Sequence, residues 1–246
     1  MLKKVLYTLH TLVIVLWTLA ATSVIGILVI LVSFFSRNGN VPHLMARLWA
    51  NSILWVSRAK VTVMGTEKLT RGRSYIYMPN HQSNADIPLL LGRLPVQFRW
   101  LAKAELFKIP IFGRAMRGVG YISIDRSNRK SAFESLARAA RTIRNGTSVL
   151  IFPEGTRSLD GRLLPFKKGG FVLAVDAGVP IVPVIIRGTR QIMAKGQFLI
   201  RPVPVVLQIL DPVETGDYTR KTKDELLERI RTILNDHLEN GPQEAS

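Results

Sequence analysis

No cysteine occurs among the 246 residues, which excludes a disulfide framework, a Cys-rich zinc site and a thiol nucleophile. Acidic residues are scarce as well: 17 Asp and Glu stand against 34 Lys and Arg, a formal charge of +17. That imbalance favours anionic partners such as lipid headgroups, phosphorylated metabolites, an acidic protein or nucleic acid. The last finds no support, because no Walker sequence, zinc spacing or nucleic-acid-reading motif accompanies the charge. A Gly-x-Ser-x-Gly elbow is also missing, and with it the usual serine route to an acyl-enzyme. Histidine is rare, with only His10, His43, His81 and His237. What the chain does have is apolar residues, 47% of the total, enough for one sizeable core.

Much of that apolar content stands at the amino terminus. Residues 5–36 form 32 consecutive positions without Lys, Arg, Asp or Glu. A bilayer core needs only about 20 apolar helical residues. A secretory signal peptide is the competing reading of Lys3, Lys4 and the run behind them, but its apolar core would be about 7–15 residues long and end in small residues. Here the apolar character continues past Ala20 and Ala21 to Val32. A straight helix over this run would be about 48 Å long against roughly 30 Å of hydrocarbon, so part of it tilts, bends or leaves the core. Asn38-Gly39-Asn40 and Pro42 then mark a turn. Beyond it Val41, Leu44, Met45, Leu48, Trp49 and Trp55 recur at helical spacing, predicting an interfacial helix with Arg47 and Arg58 toward headgroups. Basic residues flank both ends of the long run, so a single span and a hairpin returning to the same face stay open. The basic remainder of the chain favours the cytoplasmic side. Residues 1–58 are thus expected to form a membrane anchor, 59–240 one α/β domain and 241–246 a flexible tail.

After residue 60 short apolar runs at 61–64, 75–78, 98–101, 121–124, 149–152, 181–186 and 205–210 predict strands, several of them apolar throughout as suits strands covered on both faces. Helical stripes separate them. Phe133, Leu136, Ala140 and Ile143 make one, with Arg138, Arg141 and Arg144 facing elsewhere. Leu226, Leu227, Ile230, Ile233 and Leu234 make another, opened by Thr222 and Glu225 in capping-box spacing. The alternation predicts an α/β fold: a single domain with a largely parallel mixed sheet flanked by helices, plus the membrane-associated helices. Charge is uneven within it, since residues 101–170 hold 14 basic and 5 acidic side chains, a net +9.

Three of the four histidines lie in the apolar run, the interfacial stretch or the last helix. The fourth, His81, follows a strand in the polar loop Pro79-Asn80-His81-Gln82-Ser83-Asn84-Ala85-Asp86. Loops at the carboxyl ends of strands are where an open α/β sheet places its site. If the chain turns near Ser83 or Asn84, Asp86 approaches the imidazole, holds one tautomer and leaves the other nitrogen to accept a proton. A helix-capping loop fits the same spacing. More telling is Phe152-Pro153-Glu154-Gly155-Thr156-Arg157-Ser158, which also follows a strand: Gly155 permits close backbone approach to a ligand and Arg157 suits a phosphate. A turn with a surface ion pair is the bland alternative. Two more strand ends offer cations, Lys103 and Arg126. Three cationic strand ends beside a fourth with His and Asp point to a phosphate-bearing substrate next to a general base.

Asn80-His81 through Asp86, Gly120-Tyr121-Ile122-Ser123-Ile124-Asp125-Arg126, residues 152–158 with Leu164-Pro165-Phe166-Lys167 downstream, and Val179-Pro180-Ile181-Val182-Pro183 resemble, in order and rough spacing, the four motifs of the glycerolipid acyltransferase family, over about residues 60–215. Ser123 departs from the second motif, where a bulky apolar or aromatic residue is more usual. The resemblance, strongest to the bacterial lysophosphatidic acid acyltransferases, implies transfer of an acyl group from a thioester of acyl carrier protein or coenzyme A to the sn-2 hydroxyl of lysophosphatidic acid. It implies His81 as general base with Asp86 as its orienting partner. Glu154, Gly155, Thr156 and Arg157 would hold the glycerol phosphate, with positive charge from Arg126 and Lys103. Val179, Pro180, Ile181 and Pro183 would line the acyl path or support the site. It further implies no bound cofactor or metal, membrane lipids as surroundings, no nucleic acid, and a place at the bacterial inner membrane with the catalytic domain on the cytoplasmic face. Related acyltransferases acting on another lysolipid or glycerol 3-phosphate, and a membrane-anchored lipid hydrolase using the same His and Asp, are the alternatives.

Overall fold

The structure is a computed structural model that describes residues 2–36, 38–125, 129–194 and 196–240. The expected tail at 241–246 and Arg126 lie outside the described residues. Along the chain, helix α1 (Leu2–Ser33) and helix α2 (Asn40–Val56) precede strand β1 (Val61–Met64), β2 (Ile76–Pro79), α3 (Asp86–Arg93), β3 (Phe98–Lys103), α4 (Phe112–Gly118), β4 (Ile122–Ile124) and α5 (Arg129–Arg144). There follow β5 (Ser148–Leu150), α6 (Gly169–Ala177), β6 (Ile181–Arg187), a short α7 (Thr189–Ile192), β7 (Val205–Ile209) and α8 (Lys223–Asn240). All seven apolar runs read as strands are strands, with ends displaced by a residue or two.

The strands form one sheet in the order β1-β7-β6-β2-β5-β3-β4. Every neighbouring pair is parallel except β6 with β7, which run antiparallel. Successive side chains of a strand point to opposite faces, and both faces are covered. Ile76 and Met78 of β2 join one core with α5, α6 and α8, while Tyr77 and Tyr75, which precedes the strand, join the other with α2 and α3. Four strands adjacent in the sheet, β2, β5, β3 and β4, are parallel, so their carboxyl ends open on one edge. The segments following them are far apart in sequence yet become neighbours there.

Helix α1 is the one helix among the described residues long and apolar enough to cross a membrane by length and composition. It folds back against α2 in antiparallel fashion. His10 Nε2 lies 2.9 Å from the Val56 carbonyl, Trp17 Nε1 donates to Ser52 Oγ at 3.1 Å, and Trp49 Nε1 donates to Thr22 Oγ1 at 3.0 Å. One stripe of α1, including Ile14, Ala21, Gly26 and Val29, is buried, while Leu9, Leu12, Leu16, Leu19 and Leu28 are exposed. The stripe meets the rest of the protein near both ends: Ile200 N–H donates to Thr11 Oγ1 at 2.9 Å, and Ser33 packs against Gly118 of α4. Gly26 makes a close approach possible, since a Cβ there would stand 2.8 Å from Ile111 Cγ2.

Two local expectations are corrected. Arg47 does not reach outward: it is half-buried between α2 and α3, its Nη2 3.5 Å from the Gly92 carbonyl, because α2 is a middle layer with protein on two sides. Leu44, Leu48 and Trp55 of the same helix are exposed, as is Arg58. At α8 the Thr222 hydroxyl accepts the Thr219 N–H at 2.9 Å instead of closing a capping box with Glu225.

Candidate active site

The polypeptide leaves β2 at Pro79, and Asn80 continues the pairing with its side chain, donating to the Ile186 carbonyl and accepting the Ile186 N–H. This ties the start of the loop to β6. His81 comes next, two residues beyond the sheet, with 13% of its side-chain surface exposed. The loop turns before α3 begins, so Asp86, the first residue of that helix, points back into it. Asp86 Oδ2 accepts three donors: His81 Nδ1–H at 2.7 Å, Gln82 N–H at 2.8 Å and Ser83 N–H at 2.9 Å. The side chain of Asp86 is fully buried. A carboxylate in this position fixes the Nδ1–H tautomer and leaves Nε2 as the free acceptor. The sequence spacing implied this pair only if the loop was not helical, and it is not.

The segment after β5 holds His81 from the other side. The His81 N–H donates to Glu154 Oε1 at 2.7 Å, and the His81 carbonyl accepts the Ser158 N–H at 2.8 Å. The second Glu154 oxygen takes the Leu164 N–H at 2.9 Å, while Lys167 N–H donates to the Pro153 carbonyl at 2.8 Å. The downstream Leu-Pro-Phe-Lys stretch thus folds back to complete the same loop. Gly155, at φ +75°, occupies the left-handed region that this tight turn requires. Glu154 is buried, and both its oxygens are occupied by backbone donors rather than turned toward the open site.

Burial pushes the Glu154 carboxyl up to about 7, against the downward pull of the Leu164 and His81 N–H groups and with a smaller upward push from Asp86. A carboxyl whose pKa is higher folded than unfolded holds its proton better in the folded state. Its contribution to stability is therefore fully present below the unfolded value of about 4.5 and is lost as the pH rises through about 7. Glu154→Gln is expected to reduce the fall in urea midpoint between about pH 5 and about pH 8. Equal falls in variant and wild type would show that Glu154 does not carry this pH dependence.

His81 opens into a cavity of about 620 Å³, within the range of small-molecule sites. Lys103, Gly155, Thr156 and Arg157 line it beside His81. Its remaining wall is largely apolar and reaches Ile25 and Val29 of α1, Trp49 of α2 and Met116 of α4. The Lys103 ammonium also pairs with Glu105 at 3.3 Å, both side chains being well exposed. Val179, Pro180, Ile181 and Pro183 do not line this cavity. They lead into and form β6, where Ile181 pairs with Ile76 and Pro183 with Met78 of β2, so they hold the strand beside the one that delivers His81. Arg126, the remaining cation expected from the sequence, lies outside the described residues.

Two participants were not singled out from the sequence. The His81 imidazole lies flat on the Phe152 ring, centroids 3.7 Å apart and planes 13° from parallel. Phe152 in turn stacks on Trp100 of β3 at 5.5 Å and 27°. Phe152 belongs to a quoted motif, but nothing in its spacing announces a partner 71 residues upstream. Trp100 lies within an apolar run and reads as core.

A family model described as Acyltransferase matches residues 60–187. The chain is 36% identical over 208 residues to a 1-acyl-sn-glycerol-3-phosphate acyltransferase of Limnanthes douglasii, covering 84% of this chain and 73% of that one. It is 32% identical over 197 residues to the human 1-acyl-sn-glycerol-3-phosphate acyltransferase alpha, covering 79% and 70% respectively. Among solved structures, the 1-acyl-sn-glycerophosphate (LPA) acyltransferase of Thermotoga maritima superposes with a TM-score of 0.81 at 30% identity, covering 98% of this chain and 99% of that one.

Proposed function

This chain belongs to the acyltransferase family, and on that premise we propose that it acylates the sn-2 hydroxyl of 1-acyl-sn-glycerol 3-phosphate from a thioester of acyl carrier protein or coenzyme A, yielding phosphatidic acid. The observation that carries this reading is an imidazole bonded through Nδ1 to a buried carboxylate and opening into an apolar cavity that two cations share. The acceptor oxygen attacks the thioester carbonyl carbon as its proton passes to His81 Nε2. A C–O bond forms, the C–S bond breaks as the tetrahedral intermediate collapses, and the departing sulfur takes the proton from the imidazolium. Asp86 holds the ring in the tautomer this requires and offsets the charge that appears on it. Arg157 and Lys103 hold the phosphate, joined by Arg126, while the apolar wall receives an acyl chain.

Glu154, occupied by two backbone N–H groups, acts by bracing the loop that carries His81 and Arg157. Val179, Pro180, Ile181 and Pro183 serve as support for β2. The exposed apolar side of α1, with the opposite side fastened to the domain near both ends, supports a helix that lies along one face of a bilayer and brings the cavity to its lipid substrate. The face is the cytoplasmic one, where a thioester donor is available; residues 1–58 are the anchor and 59–240 the α/β domain.

The test is an assay of the purified protein in lipid vesicles with both thioester donors and a panel of acceptors. Lysophosphatidic acid is expected to be acylated, and a preference for an acceptor without phosphate would overturn the assignment. Arg157→Ala is expected to raise the acceptor KM by about 10-fold or more, as loss of a charge-assisted contact does, and to do so less for a phosphate-free acceptor. Equal losses with both acceptors would remove Arg157 from the phosphate. Release of free fatty acid without acylated lipid would favour the hydrolase instead.

A further inference from the structure

We infer that Phe152 is a positioning residue for His81: its ring, backed by Trp100, seats the imidazole and stabilises the imidazolium formed when the acceptor hydroxyl gives up its proton. This rests on His81 acting as the base, as proposed above. The three rings come from the loop after β2, the segment after β5, and β3, which are consecutive in the sheet. Strand order therefore lines them up, and the column ends in a tryptophan that is only 5% exposed, so Phe152 cannot draw back from His81 on that side.

An imidazole needs more than one contact to be fixed. The Nδ1–H bond to Asp86 fixes one vertex of the ring but leaves its tilt about that bond free. The backbone on both sides of the ring is held, through the Glu154 carboxylate and the Ser158 N–H. Face contact with Phe152 at 3.7 Å and 13° removes the remaining tilt. What is left toward the cavity is the edge that carries Nε2. The face of an aromatic ring is the negative end of its quadrupole, so it attracts a cation more than a neutral ring. The proton-transfer step turns the one into the other: the acceptor O–H bond breaks, an N–H bond forms at Nε2, and the positive charge appears over Phe152. The contact thus strengthens as the reaction proceeds, which is the condition for an effect on turnover rather than on binding.

The other charged groups that face His81 are Asp86 from the start of α3, Glu154 and Arg157 from the segment after β5, and Lys103 from β3. Asp86 favours the imidazolium, Glu154 does so only as it ionises with rising pH through about 7, and the two cations oppose it. None of them changes in a Phe152 variant, so a comparison with wild type isolates the ring. A competing role exists for the same side chains, since Phe152 and Trp100 also line the cavity and could serve only as apolar wall. A wall residue would affect substrate binding, and leucine would replace it well.

The full-length protein in vesicles, supplied with an acyl thioester and lysophosphatidic acid, separates the two roles. Phe152→Leu is expected to lower kcat by about 3- to 30-fold, the worth of a cation–π contact that is partly desolvated, with both KM values nearly unchanged. The acid limb of its kcat/KM profile is expected to move to lower pH, because the charged imidazole has lost a favourable contact. Phe152→Tyr keeps the ring and is expected to restore both properties. Trp100→Leu should shift them in the same direction by less. Wild-type kcat and pH profile in Phe152→Leu would overturn the proposal. So would equal losses in the Leu and Tyr variants that follow their thermal denaturation temperatures, since the ring would then be packing alone. If His81→Ala retains turnover, the base assignment itself fails; a dead His81→Ala beside an unaffected Phe152→Leu sinks only the aromatic seat.

Discussion

His81→Ala is expected to reduce turnover by about 10²- to 10⁴-fold or more while leaving the fold and the association with lipid in place. The chemical part follows from the lack of a substitute. Among the groups lining the cavity, Lys103 and Arg157 are cations at neutral pH and Thr156 is a weak acceptor, so no other lining side chain named for the site can take the hydroxyl proton. The structural part follows from the bonds that remain. The backbone N–H and carbonyl of residue 81 keep their partners, Glu154 and Ser158, whatever the side chain. Asp86 Oδ2 loses one of three donors but retains the Gln82 and Ser83 N–H groups, so its buried charge stays hydrogen-bonded. Thermal denaturation should thus shift little, and vesicle sedimentation should match wild type. Turnover within a few-fold of wild type would remove His81 from the chemistry, and collapse of the fold would show that the imidazole is structural.

How much of this was legible in the sequence depended on whether the relevant interaction was local. Strands were legible because an apolar run bounded by turn residues carries its own signal: Val205 to Leu207 needs no knowledge of β1 to read as extended. His81 and Asp86 were legible as a pair because only five residues separate them and the outcome turned on one local question, whether the loop was helical. The sheet order was not written in any single segment. Yet it sets β2, β5 and β3 side by side, and so puts Phe152 over His81 and Trp100 over Phe152. Glu154 illustrates the same limit. A glutamate three residues before an arginine in a basic chain reads as a ligand or an ion-pair partner. Only the tertiary fold reveals that two backbone N–H groups, at His81 and Leu164, reach it first.

At the amino terminus, periodicity recovered the second helix but not which parts of it face protein. The spacing of Leu44, Leu48 and Trp55 describes an apolar side, and those residues are exposed, whereas Trp49 and Arg47 turn inward to α1 and α3. An arginine amid apolar residues reads as reaching for headgroups; Arg47 meets a peptide carbonyl near the end of α3 instead. The first helix could be sized but not oriented, because the stripe that fastens it, with Ala21 and Gly26, is almost as apolar as the side left open.

The second large effect expected is at Asp86. Asp86→Asn should lower kcat by on the order of 10²- to 10⁴-fold with acceptor KM nearly unchanged. An asparagine can still present its oxygen to the three N–H donors that meet Oδ2, so the loop need not unravel. Two things are lost. The amide carries no charge to offset the imidazolium, and its NH₂ group falls where Asp86 Oδ1 makes no hydrogen bond among the described residues, leaving a buried donor unpaired. A modest fall in stability should accompany the fall in rate. If Asp86 acts through His81, combining Asp86→Asn with His81→Ala should cost little more turnover than His81→Ala alone. Multiplicative losses in rate would mean that Asp86 contributes to the reaction independently of His81, and the pairing built on the 2.7 Å bond would have to be abandoned as the source of catalysis.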